Sequence, residues 1–194
     1  FYYKFGGGPM LDMGPYYVSA LVTLLGPVTS VVGASSSTRS TRIIGSGPRT
    51  GEEIPVSTPT HVTGVLIHAS GALSTLAANI EIHGETGSLA VPDPNRFDGE
   101  VQVRRLDGED WEVLPVSAGY RDAARGIGLQ DLARTPEGEL PRASGEMGFH
   151  VLEVMEAVLA SAEAGTALPI GSTCERPPAV ALSLTGGVEA VSGS

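Results

Sequence analysis

The sequence is short of several things: it has one cysteine and one tryptophan in 194 residues, aromatics at 5%, and 12 basic residues against 22 acidic ones. The lone thiol, Cys174, leaves no internal disulfide framework. Its place in an apolar stretch running into proline marks it as a buried, inert side chain. A net charge of −10 argues against a surface that tracks nucleic-acid phosphates. No apolar run approaches the roughly 18 residues needed to span a bilayer, and no basic-then-apolar leader opens the sequence. The chain is therefore expected to be soluble and cytoplasmic, with no membrane or nucleic-acid partner.

Motifs for metal and nucleotide chemistry are missing too. His61, His68, His83 and His150 are scattered, with no H-x-x-x-H or C-x-x-C spacing, so no metal site is expected and the first three are read as decorating strands. No serine sits in a G-x-S-x-G elbow. Gly45-Ser46-Gly47 follows a possible strand, yet Pro48 and Pro55 fall where a phosphate-binding helix would have to run. The glycines at 6 to 8 lack the G-x-G-x-x-G spacing. No cofactor-binding residue is expected in this chain.

Glycine and proline are abundant, at 26 and 14, so the chain is loop-rich but still folded. It opens at Phe1, inside a structured motif, as a part of something larger would. From Met10 to Leu25 the residues Leu11, Val18, Leu21, Val22 and Leu25 recur at helical spacing, and Gly26-Pro27 ends the run. Pro15 is tolerated in a first turn, which places the helix start near Asp12, a favourable N-cap. "VTSVVGAS" reads as a strand and the stretch through Pro59 as a short strand with an irregular excursion. Hairpins are expected around Ala69-Ser70-Gly71 and at Asp107-Gly108, with a tight turn and a strand in "HGETGSLAV". A short helix is expected within "DLARTPEGELPRAS". A longer one runs from Gly145 to Ala164, with Phe149, Leu152, Met155, Leu159 and Ala162 on one stripe. Strands following one another without helices between them predict a single α+β domain over 1–194: an open-faced, mostly antiparallel sheet with helices packed on one face. The bare face of that sheet, apolar in "GVLIHA" and "ALSTLA", predicts self-association into a homo-oligomer.

Asp12 and Tyr16 are the candidate catalytic residues. Four residues apart on a helix, they share a face. They also lie near its N-terminus, where unpaired N–H groups gather anions and would favour a phenolate. The glycine loop before them lets a substrate approach the backbone. The plainer alternative makes Asp12 a cap and Tyr16 a core aromatic. Lys4 and Arg125 are candidate substrate contacts, with solvated surface cations as the alternative. His150, inside the late helix, reads as packing or surface.

"GGGPMLDMGPYY…LLGPV" resembles the opening of the second domain in the Gfo/Idh/MocA family, the glucose–fructose oxidoreductase and inositol dehydrogenase group. "GETGSLAVPDPNRF" is similar to the family's Gly-x-x-Gly-x-Leu turn and strand, and "RASGEMGFHVLEVMEAV" to its late helix. The likeness runs from Tyr2 to about Pro177. It implies the substrate and oligomerisation half of a two-domain enzyme, whose absent N-terminal domain would bind NAD or NADP and supply a lysine from a Glu-Lys-Pro motif. It also implies that Tyr16 exchanges a proton with the reacting oxygen of a sugar-like polyol or ketone, and that Asp12 orients the substrate or tunes the phenol. Members frequently carry histidine where this chain has Tyr16; branches similar to dimeric dihydrodiol dehydrogenase use tyrosine. Between Ala78 and Glu81 the chain is shorter than the family pattern, which reads as a trimmed hairpin or as missing residues. Two other functions stay open beside this one: a non-catalytic carbohydrate-binding or assembly module, and redox-assisted glycoside cleavage.

Overall fold

The computed structural model describes residues 2–76, 80–120, 123 and 125–184. Helix α1 spans Pro9–Leu25 and starts earlier than expected. Pro9 takes the first helical position, where its missing N–H is not needed and its φ is preset. The N-cap is Gly8, at φ 94°, a conformation that favours glycine. A Cβ there would stand 2.9 Å from Thr58 Cγ2. Asp12 is therefore not the cap: its N–H already donates to the Gly8 carbonyl at 3.1 Å, one turn into the helix. The same shift puts Pro15 in the helix interior rather than its first turn, so the Leu11 carbonyl has no i+4 N–H to accept.

Strand β1 (Val28–Ser36) follows the Gly26-Pro27 stop. Strands β2 (Thr41–Ile43) and β3 (Glu53–Pro55) pair within the excursion. Strands β4 (His61–His68) and β5 (Leu73–Leu76) make the hairpin read at 69–71. Next come β6 (Ile80–Gly84), β7 (Gly87–Val91), β8 (Gln102–Arg105) and β9 (Glu112–Val113), each paired with the one before. Helices α2 (Ile127–Arg134) and α3 (Gly145–Ala164) precede the short strand β10 (Leu168–Pro169). Every pairing is antiparallel, in the orders β10–β1–β4–β5, β2–β3 and β6–β7–β8–β9. The expected junction from Ala78 to Glu81 begins on residues outside the described ones; Glu81 lies in β6.

The chain divides into two compact units, Phe1–Ala77 with Glu146–Glu175, and Ala78–Gly145 with Arg176–Ser194. In the first, strand alternation turns Val31, Leu66, Ser74 and Leu76 inward, where they are buried along with Val18, Leu21 and Val22 of α1 and Val154 and Val158 of α3. Val32, Val65 and Leu73 point the other way and are exposed, so this sheet is open on that face. The α3 stripe differs from the expected one. Met147, His150, Val151, Val154, Met155, Val158 and Ser161 are buried, while Phe149 and Leu152 face solvent. Contacts with β1 hold that rotation. A Cβ on Gly33 of β1 would lie 2.0 Å from the Val158 carbonyl, so only glycine lets the helix approach so closely. Ser161 Oγ accepts from the Gly33 N–H at 2.9 Å and donates to the Thr166 carbonyl at 2.6 Å.

In the second unit, Tyr120 Oη donates to Asp131 Oδ1 at 2.9 Å, and Arg142 bonds the same oxygen at 2.5 Å. Arg142 also donates to the carbonyls of Pro178 and Ala179. Tyr120, Asp131, Arg142 and Pro178 line a cavity of about 230 Å³ with Arg134, Thr135, Glu139 and Leu184.

Candidate functional site

The site helix α1 is anchored at its mouth by the excursion. The Ser57 N–H donates to the Tyr3 carbonyl at 2.8 Å, Thr58 Oγ1 donates to the Gly7 carbonyl at 3.3 Å, and the Arg42 guanidinium lies 5.8 Å from the Tyr3 ring centroid. The glycine loop is thereby fixed in front of the helix rather than left as a free arm.

Asp12 is exposed and Tyr16 half-buried, one turn further along the same face. Among the described residues, neither the Asp12 carboxylate nor the Tyr16 hydroxyl has a hydrogen-bond partner. Nor does either belong to the buried unpartnered polar atoms, which are Arg42 Nε and Asn95 Oδ1. The phenol is thus neither tied up nor sealed into the core, and both groups can meet a ligand. Tyr2 joins them: burial pushes its phenol above the usual tyrosine range, and the negative charge of Asp12 and the neighbouring Tyr3 push the same way. Sequence spacing gave no sign of Tyr2, because it reaches Asp12 through the turn of the glycine loop rather than along a helix.

Lys4 is exposed, and its carbonyl accepts from the Gly7 N–H at 2.9 Å, closing the loop turn. Arg125 is also exposed but belongs to the second unit, just before α2. A groove of about 550 Å³ opens beside the helix mouth, lined by Pro9, the end of β1 and the start of β4, including Ser35, Thr60, His61 and Thr63. Asp12 and Tyr16 are not among its lining residues. His61 is an exposed residue of β4, as read from the sequence; it borders that groove, with its Nδ1 3.1 Å from Thr60 Oγ1.

Cys174 is buried, as expected, and burial pushes its thiol up. No group of three or more potential metal ligands occurs among the described residues, and no helix among them is long and apolar enough to cross a membrane. Nor do the described residues offer a dinucleotide cradle. Gly45-Ser46-Gly47 lies between β2 and β3, and a strand rather than a helix follows it.

A family model described as the GFO/IDH/MocA C-terminal domain matches residues 1–97. Comparison of the sequence with curated proteins finds no match. Among solved structures, the apo form of levoglucosan dehydrogenase superposes with a TM-score of 0.65 at 21% identity, over 87% of this chain and 52% of that one. An NAD-binding oxidoreductase from Klebsiella pneumoniae gives 0.67 at 22%, over 85% and 51%. The WlbA dehydrogenase from Bordetella pertussis, in complex with NADH and UDP-GlcNAcA, gives 0.55 at 19%, over 84% and 45%. At these identities the likeness is one of fold, and the chain spans about half the length of those structures. With half of its residues matched by the family model, and with the antiparallel α+β architecture of these neighbours, the chain belongs to the GFO/IDH/MocA C-terminal domain family.

Proposed function

We propose that this chain is the substrate-binding half of an NAD(P)-dependent oxidoreductase acting on a sugar-like polyol or its ketone. The observation that carries the reading is the pair at the mouth of α1: an exposed carboxylate and an unpartnered, accessible phenol on one helical face, behind a glycine loop that is held in place. Family membership supports it. So do neighbours of the same fold, among them levoglucosan dehydrogenase in complex with NADH and L-sorbose.

NAD or NADP, the hydride carrier of such a reaction, finds no cradle among these residues and would be bound by a separate domain. What this chain contributes is proton handling and orientation. Tyr16 gives its hydroxyl proton to the substrate oxygen when the attached carbon is reduced, and as the phenolate takes the proton back when that carbon is oxidised. Asp12 accepts a hydrogen bond from a neighbouring substrate hydroxyl, which fixes the reacting carbon, while Lys4 on the same glycine loop is a further substrate contact. In the full-length enzyme, Tyr16→Phe should lower kcat about 10²–10⁴-fold with the fold intact. Unchanged turnover would remove Tyr16 from the chemistry and leave the binding-module reading in its place.

A second role, assembly, rests on a different observation. Val32 and Val65 are register partners in the first sheet and both are exposed, as is Leu73 beside them. An apolar sheet face of this kind suits a second copy of the chain.

A further inference from the structure

Two histidines that the proposed chemistry does not use are buried at the far end of the site helix. His68 at the end of β4 and His150 on α3 are both under 3% exposed. They grip the corner where α1 gives way to β1. His68 Nδ1 is 2.7 Å from the Gly26 carbonyl, and its Nε2 is 2.9 Å from Ser74 Oγ. The Val28 N–H donates to His150 Nε2 at 2.9 Å, and His150 Nδ1 is 2.9 Å from Ser172 Oγ. Two further bonds complete the corner: Ser70 Oγ to the Leu25 carbonyl and the Ala69 N–H to the Pro27 carbonyl, both at 2.8 Å.

We propose that His68 and His150 together form a clamp of neutral imidazoles on the α1–β1 corner, which positions the site helix at neutral pH and releases it under mild acid.

The hydrogen-bond partners fix the protonation states. A backbone N–H can only donate, so His150 Nε2 must present its lone pair to Val28, and its ring proton must sit on Nδ1 facing Ser172. A carbonyl can only accept, so His68 must carry its proton on Nδ1, leaving Nε2 to accept from Ser74. A second proton on His150 Nε2 would set N–H against N–H and cancel the bond to Val28. On His68 the added proton could be met only if the Ser74 hydroxyl turned round.

Few groups could offset a buried imidazolium here. Glu153, on the same helix, pulls the His150 titration upward, but its carboxylate is already engaged by the Gly171 and Ser172 N–H groups at 2.8 Å each. His68, facing from β4, pushes it down, since two cations would repel. From β5 and the 171–172 segment the facing groups are the neutral hydroxyls of Ser74 and Ser172. Burial is the largest influence on both rings and holds each below the ordinary histidine value of 6.5. The sign follows. Above that value both rings are neutral, folded or unfolded, and stability is at its full level. As pH falls below it, the unfolded chain takes up protons that the folded one refuses, and stability declines.

The clamp does not depend on what reaction the protein performs, and its test reads stability and ring protonation rather than turnover. Nitrogen-detected NMR of the two imidazoles in the intact protein should find both as the Nδ1–H tautomer at pH 7.5, with protonation setting in only below 6.5. The wild-type melting temperature should fall by about 5 °C or more between pH 7.5 and 5.5. His150→Gln keeps an acceptor for Val28 and His68→Asn keeps a donor for Gly26, so a double variant should fold and lose most of that pH dependence. Either ring titrating at or above the free value, or a double variant with the wild-type acid slope, would overturn the clamp. Should the variant not fold, the ring titrations of the wild type decide alone.

Discussion

The two units of this chain are held by different forces. Of the buried aliphatic side chains among the described residues, Ile80 alone lies in the second unit, and the rest form the interior of the first. Helix α2 has no buried residue, and Leu106, Leu129, Leu132 and Leu140 are more than half exposed. In place of an apolar interior, the second unit has Asp131 bonded by Tyr120 and Arg142, with Arg142 reaching on to two carbonyls. Apolar burial is not screened by ions, whereas charge-assisted bonds near a surface weaken as ions screen them. The first unit should therefore respond to changes of volume, the second to changes of charge.

Substitutions can break that contrast. Gly33→Ala strikes the first unit hardest, because the new Cβ meets backbone at the Val158 carbonyl rather than a side chain that could move. A loss of about 3 kcal/mol is expected, read as a collapse of the helical circular-dichroism melt. Trp111, the sole tryptophan, lies in the second unit, so its fluorescence should register this change less than the helical signal does. Arg142→Ala reverses the pattern. It leaves the Asp131 carboxylate with Tyr120 as its hydrogen-bond donor, and the Trp111 transition should lose about 2 kcal/mol. That loss should shrink at high salt while the helical signal barely moves. The smallest effect on stability, within about 0.5 kcal/mol, is expected for Leu73→Ser on the open sheet face. Its readout is light scattering, where a weaker self-association should appear. A wild-type protein that is monomeric at tens of micromolar would instead dispose of the assembly proposal.

Much of the local structure could be read from the sequence because it is written in local chemistry. The turns at 69–71 and at Asp107-Gly108 bracket alternating strands, and the paired strands lie where those turns put them. Helix α3 has the expected limits, Gly145 and Ala164. Its buried face could not be read, because that face is held by the close approach of Gly33, by the Gly33 N–H bond to Ser161 and by the Val28 N–H bond to His150, all between residues distant in sequence. The start of α1 could not be read for a related reason: propensity favours Asp12 as a cap, but the true cap lies at φ 94°, a backbone conformation that favours glycine. Of the candidate site, Asp12 and Tyr16 were visible through their spacing, while Tyr2 was hidden by the fold of the glycine loop. The division into two units leaves no local mark either, since the first is built from segments on both sides of the second.

That interrupted construction bears on how the protein is made. His150 follows its partner Val28 by 122 residues. At the roughly 5–20 residues per second of translation, about 6–24 s pass before it leaves the ribosome. During that interval the greasy side of α1 has no late helix to cover it, and a nascent chain in this state is a natural client for chaperones. Completion of the first unit thus waits on the arrival of α3.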